Sequence, residues 1–214
     1  MSDRSPETGQ LIRVRLWDPF LRVFHWALAV CVLSAWVLGE FGPGIMTLHF
    51  YFGYAILGLL AFRVLWGVIG AWPARFWHFT YGPGTYLRYL SGISRRSPSH
   101  WPGHNPLGAL SVYLLLGALL LQGLTGLYTD PDDFINVGPL AAGAPSGWVP
   151  LATTIHQTLP PIILLLVLLH LGAILFYYLW KGENLVPSML HGRKVVRGEV
   201  PAERVIESVE EPAP

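Results

Sequence analysis

Four apolar stretches, at residues 19–39, 49–72, 106–128 and 151–180, constrain this chain more than any other feature. A bilayer core of about 30 Å is crossed by a helix of roughly 20 predominantly apolar residues, and each stretch meets that test. Lipid offers no partner to a free N–H or C=O, so apolar spans of this kind are helices. The expected fold is an all-α integral membrane protein, a four-transmembrane-helix bundle over residues 19–180. Residues 1–18 form a cytoplasmic N-terminal segment and residues 181–214 a cytoplasmic, partly disordered tail. Composition agrees: 52% of the 214 residues are hydrophobic and 13% charged, against about 25% charged in a soluble domain. Little sequence remains for a separate soluble catalytic unit, so any chemistry is expected inside the bundle. A net charge of +1 gives no general basic field for nucleic acid. The one cysteine, Cys31, excludes a disulfide framework or thiolate cluster within a single chain and reads as packing.

The first stretch is not read as a cleaved signal. It runs into Trp36-Val37-Leu38-Gly39-Glu40 without a small-residue cleavage site and already holds a histidine. Orientation follows from lysine and arginine, which are retained on the cytoplasmic side of short connections. Arg4, Arg13, Arg15 and Arg22 precede or open the first span, and Arg75, Arg88, Arg95 and Arg96 occupy or flank the second connection. Lys181, Arg193, Lys194, Arg197 and Arg204 follow the fourth, whereas residues 40–48 and 129–150 contain neither residue type. Both termini are therefore expected in the cytoplasm. The third connection, with Asp130, Asp132 and Asp133 among Gly and Pro, reads as an ordered external loop or short lid facing a periplasmic partner. Trp26, Trp36, Trp66, Trp72, Trp148 and Trp180 lie near span ends, as interfacial anchors do. Beyond Glu199 the tail lacks a periodic apolar face and reads as disordered.

An ionisable residue within a membrane is costly, and its default reading is functional. Four of the eight histidines lie in or at the edges of spans: His25, His49, His156 and His170. His25 is near the cytoplasmic end of the first span, and His49 opens the second from the opposite side. His156 and His170 are fourteen residues apart in the fourth, about 21 Å along an unbroken helix at ~1.5 Å per residue, and almost on one face. Depth then pairs His49 with His156 and His25 with His170. Neutral imidazole is a common axial ligand of haem iron, and facing helices supply opposed ligands without irregular backbone. Singly, each histidine also reads as an interfacial or hydrogen-bonded residue. Small residues, Ala29, Gly53, Gly117, Gly123 and Gly126, would permit a porphyrin between helices, and equally permit ordinary packing. Arg63, fourteen residues after His49, could pair with propionates with help from Arg22, or snorkel to the interface. His78, His100, His104 and His191 fall in loops and read as solvated or capping. Pro160-Pro161 interrupts the fourth span: Pro160 cannot bond the carbonyl of His156, so the helix kinks or begins there.

These residues resemble the prokaryotic di-haem cytochrome b family, which includes cytochrome b(561) and the cytochrome subunits of nickel-iron hydrogenases. The resemblance covers about residues 11–195. It is carried by Val14-Arg15-Leu16-Trp17-Asp18-Pro19, Arg22-Val23-Phe24-His25-Trp26, Leu48-His49 with Gly53, Arg63 with Trp66-Gly67, and Ala74-Arg75-Phe76. Gly103-His104-Asn105-Pro106-Leu107-Gly108, Glu183-Asn184-Leu185 and Gly192-Arg193-Lys194 extend it. It implies two non-covalent b haems between the helices, each held by two of His25, His49, His156 and His170. It also implies electron exchange between membrane quinone and a redox partner, a c-type cytochrome or a dehydrogenase subunit, and leaves room for a homodimer. The chain looks closer to the short members found with c-type cytochromes than to hydrogenase subunits. No Cys-x-x-Cys-His is present, so the haems are not covalently attached.

The expected activity is sequential one-electron transfer between two haems, with potentials tuned by burial, ligand hydrogen bonds and charge. No bond-making step need belong to the chain. Quinone chemistry would require a protonatable group, for which Glu40, Asp130 and His104 are candidates. Two alternatives stand: a histidine-lined metal or proton transporter, and a haem-bearing anchor of an oxidoreductase complex. A transporter fits less well, because the carboxylates lie at ends, loops and tail rather than within spans.

Overall fold

A computed structural model of the chain describes residues 11–44, 46–132, 135–197 and 200–209. Arg4 and Asp133, used above, lie outside the described residues. The elements are β1 (Leu11–Arg15), α1 (Pro19–Phe41), α2 (Thr47–Ile69), α3 (Pro83–Ser91), α4 (Pro106–Gly126), α5 (Trp148–Thr158), α6 (Pro160–Leu179), α7 (Val186–His191), β2 (Arg193–Arg197) and β3 (Val205–Val209). The fold is mostly helical, and α1, α2, α4 and the combined α5–α6 stretch are long and apolar enough to cross a membrane. Helix α2 stops short of the expected Trp72. Pro73 cannot donate to a continuing helix, and Trp72–Ala74 turns as a short 3-10 segment. The starts of α1 and α4 share one device. Asp18 Oδ1 accepts the N–H of Leu21 at 3.0 Å and Asn105 Oδ1 that of Gly108 at 2.8 Å, with Pro19 and Pro106 next in sequence. Each cap satisfies an otherwise orphaned donor, and proline loses nothing at the first helical position.

The chain divides into two compact units. One, here the membrane unit, comprises residues 23–65 and 111–169. Its core gathers Ala35 of α1, Ile56 and Leu60 of α2, Leu119 of α4 and Ile163 of α6, with Cys31 packed against them. A Cβ on Gly123 would stand 2.7 Å from Leu57, so glycine sets how closely α4 approaches α2. The connection after α4 is tied down: Asn136 accepts the N–H of Met46 at 2.9 Å and donates to the carbonyl of Gly44 at 2.7 Å. Val30, Leu33, Leu165, Leu168 and Leu169 are exposed, an apolar exterior suited to hydrocarbon rather than water.

The other, here the basal unit, comprises the described residues of 1–22, 66–110 and 170–214. It holds a three-stranded antiparallel sheet of order β2-β1-β3. Ile12 and Val14 are buried while Arg13 and Arg15 are exposed, the period-two alternation of a strand with one covered face. Disorder was the expectation beyond Glu199. Instead residues 205–209 form β3, because β1 has a second edge to satisfy and Arg13 forms an ion pair with Glu207 across it. Gly192 closes α7 at φ 75°, where its carbonyl accepts the N–H of Leu16 at 2.7 Å. A side chain there would be strained by that φ and would meet the Trp17 carbonyl at 2.5 Å. Trp66, expected as an interfacial anchor, donates its indole N–H to Asp18 Oδ2 at 3.2 Å.

Candidate functional site

Two of the four span histidines meet in the membrane unit. His49 sits in the first turn of α2 and His156 on α5, with ring centroids 6.1 Å apart and ring planes at 86°. Each ring is fixed from behind. His49 Nδ1 lies 2.9 Å from the carbonyl of Ala35 on α1, and His156 Nδ1 lies 2.9 Å from the carbonyl of Gln122 on α4. A carbonyl can only accept, so both Nδ1 atoms carry the proton and both Nε2 atoms keep the lone pair. That tautomer leaves Nε2 available to a metal, with the other ring nitrogen orienting it.

Glycine makes both arrangements sterically feasible. A Cβ on Gly39 would lie 3.2 Å from His49 Cε1, and one on Gly126 would lie 2.7 Å from His156 Cε1. The α4 glycines therefore divide their work: Gly123 admits α2 and Gly126 admits the His156 ring. Gly53, one turn after His49, faces open space within 4 Å of its missing Cβ.

Pro160 resolves into a break rather than a loss. Helix α5 ends at Thr158, Leu159 keeps helical backbone angles (φ −79°, ψ −28°), and α6 begins at Pro160. The His156 carbonyl, deprived of its usual donor, accepts Nε2–H of Gln122 at 3.0 Å. Gln122 thus holds His156 twice, through its side-chain amide and its backbone carbonyl. Sequence reasoning passed over Gln122. The available signal was a lone amide within an apolar span together with a proline four residues after a histidine.

The remaining candidates are placed individually. His25 is half-buried on α1 in the membrane unit, its ring 5.1 Å from that of Trp26 and edge-on to it. His170 is half-buried on α6 in the basal unit. Arg63 is 2% exposed within α2, so it does not snorkel outward. Arg22, in the basal unit, donates to the carbonyl of Leu190 on α7. Of the loop histidines, His104 is not solvated: its ring lies 4.6 Å from Trp17 and 4.7 Å from Phe79. His78 packs near Trp72, and burial, followed by the charge of Arg75, lowers its pKa. Asp130 caps its own turn by accepting the N–H of Asp132 at 3.0 Å, and Glu40 is exposed at the end of α1.

The donor set suits haem iron: two neutral imidazoles with ring centroids 6.1 Å apart, each with Nδ1 engaged by a helix carbonyl, would offer it their Nε2 lone pairs. Four helices long and apolar enough to cross a membrane, mostly lipid-suited in surface, define a helical membrane protein. Residues 16–192 match the sequence pattern of prokaryotic cytochrome b561, and the chain belongs to that family. It is also 24% identical, over 229 residues, to a probable Ni/Fe-hydrogenase B-type cytochrome subunit of Rhizobium leguminosarum bv. viciae. That match covers 86% of this chain and 90% of the relative. The family makes this a multi-pass membrane b-type cytochrome of electron transfer.

Proposed function

We propose that this chain conducts electrons across a bacterial inner membrane through two b haems, with His49/His156 and His25/His170 as the axial pairs. The observation that carries this reading is the His49–His156 pair, whose Nδ1 atoms are capped by two helix carbonyls and whose rings stand 6.1 Å apart. Haem supplies a one-electron iron couple when bound. The chain's own residues orient the ligands and exclude water. His25 and His170 are assigned by their depth in the sequence and by family likeness. Arg63, a cation buried in an apolar helix, and Arg22 are assigned to the propionates of the inner haem.

The electrons pass between membrane quinone and a partner redox protein, with both termini cytoplasmic as the arginine distribution favours. The resemblance to the short members of the family favours a c-type cytochrome as partner. The relative's name gives weight to a dehydrogenase subunit of an oxidoreductase complex instead. The test is a haem count on purified protein combined with reduction by a quinol analogue. Two b haems per chain, both reduced by quinol, are expected. Haem that quinol leaves oxidised would reduce the chain to an anchor, and absence of haem under ample supply would overturn the proposal.

A further inference from the structure

A cleft of about 400 Å³ in the basal unit takes no part in the histidine sites. Arg88 and Tyr89 of α3, Arg95, Ser99 and Trp101 of the connection that follows, and Lys181 just beyond α6 line it. Three of these six are cations. Lys181 is only 6% exposed, and its Nζ donates to the carbonyls of Arg95 at 2.7 Å and Gly92 at 3.4 Å. Those acceptors satisfy hydrogens without cancelling charge. Glu183 does not cancel it either: its carboxylate is taken by Lys194 at 3.0 Å and by the Ser99 N–H at 2.9 Å and hydroxyl at 2.7 Å. Among the described residues, no carboxylate is within ion-pair reach of Arg88, Arg95 or Lys181. Residues 66–110 contain no Asp or Glu at all. A buried ammonium beside two guanidinium groups is electrostatically incomplete without an anion.

Position along the chain narrows the anion. Lys181 follows Leu179, the last residue of the fourth span, by two positions, which places it where a spanning helix meets phosphate headgroups. Helix α3 carries Leu87 at 69% and Leu90 at 45% exposure on either side of the cleft residues Arg88 and Tyr89. One short helix thus offers cation toward the cleft and apolar surface beside it, the two-part chemistry of a lipid. Trp180, 43% exposed and anchored through its indole to the Ser94 carbonyl at 3.0 Å, sits next to Lys181.

We propose that this cleft binds the phosphate headgroup of an anionic phospholipid, with Arg88 and Arg95 donating to the phosphate over the fixed charge of Lys181 and acyl chains lying along Leu87 and Leu90. Free phosphate shares the headgroup chemistry but not the apolar contact. The full-length haem-loaded protein in non-ionic detergent would be titrated by native mass spectrometry with phosphatidylglycerol and with phosphatidylcholine. Phosphatidylglycerol should be retained at least about tenfold more tightly, as expected for charge-assisted hydrogen bonds. R88Q/R95Q should remove that preference. R15Q/R193Q, which deletes the same charge from exposed strand positions facing each other in the sheet, should keep it. R88Q alone, at an exposed helix position, should weaken retention about threefold and gives a reading should the double variant misfold. Equal retention of the two lipids, equal losses in both double variants, or full displacement of phosphatidylglycerol by inorganic phosphate would each overturn the proposal.

Discussion

The two units hold their paired polar groups by different means. In the membrane unit His49 and His156 are neutral rings oriented by main-chain carbonyls on neighbouring helices, and a cation, Arg63, is buried there as well. In the basal unit Arg13 pairs with Glu207 and Lys194 with Glu183, and the second of these pairs is buried. The difference follows from the solvent each region meets. Charge pairs are expensive to desolvate in lipid, whereas carbonyls are plentiful there but already engaged in the helix ladder. A carbonyl has a second lone pair, which lets Ala35 serve His49 from mid-helix. The His156 carbonyl is freed outright by Pro160, and Gln122 takes it.

This contrast yields graded predictions. The largest concerns the basal unit. Glu183→Ala leaves Lys194, with a side chain 10% exposed, buried without its partner, at a cost of about 3–5 kcal/mol. Thermal unfolding should show a markedly lower midpoint, while the haem spectrum of the His49–His156 site stays intact below that temperature. Loss of that haem along with stability would break the separation drawn above. The same pair sets an acid limit. Burial alone raises the Glu183 pKa, but the Lys194 charge and the Ser99 hydrogen bonds outweigh it and hold the carboxyl below its ordinary value. A depressed pKa contributes stability above the ordinary carboxylate range that fades as pH falls through the folded value. Melting midpoints taken down a pH series should therefore drop on the acid side, and Glu183→Ala should flatten that drop.

Next in size is Gly126→Val. A Cβ there would lie 2.7 Å from the His156 ring, so one haem should be largely lost, read as haem per chain. Gly39→Ala, with 3.2 Å to His49, should be milder. Gln122→Ala should be smaller again. An unsatisfied His156 carbonyl costs about 1–3 kcal/mol, visible as weaker haem retention and a shifted midpoint potential. The smallest effect is the sharpest: Pro160→Ala in the Gln122→Ala background restores an N–H to that carbonyl and should recover about 0.5–1.5 kcal/mol. No recovery would show that Gln122 acts otherwise.

Much of this was readable in the sequence where one physical rule dominates. Helices α1, α2 and α4 begin within two residues of the expected spans, because length and hydropathy alone decide a membrane crossing. The His49–His156 meeting was readable from depth. The sheet was not, since β1 and its partners are five-residue strands nearly the whole chain apart, and the Ile12–Val14 alternation is too short to stand out. Gln122 was not readable either. Its role exists only because a proline on one helix frees a carbonyl that a side chain on another can reach. His104 read as a loop residue, because nothing local reveals that Trp17 and Phe79 flank its ring.

The central claim is the pairing of ligands, and reduced-minus-oxidised spectra of four alanine variants test it most directly. His49→Ala and His156→Ala should each leave one haem per chain with the same residual spectrum and potential. His25→Ala and His170→Ala should leave the complementary haem. Different residual haems in His49→Ala and His156→Ala would contradict the account, whatever the total haem content.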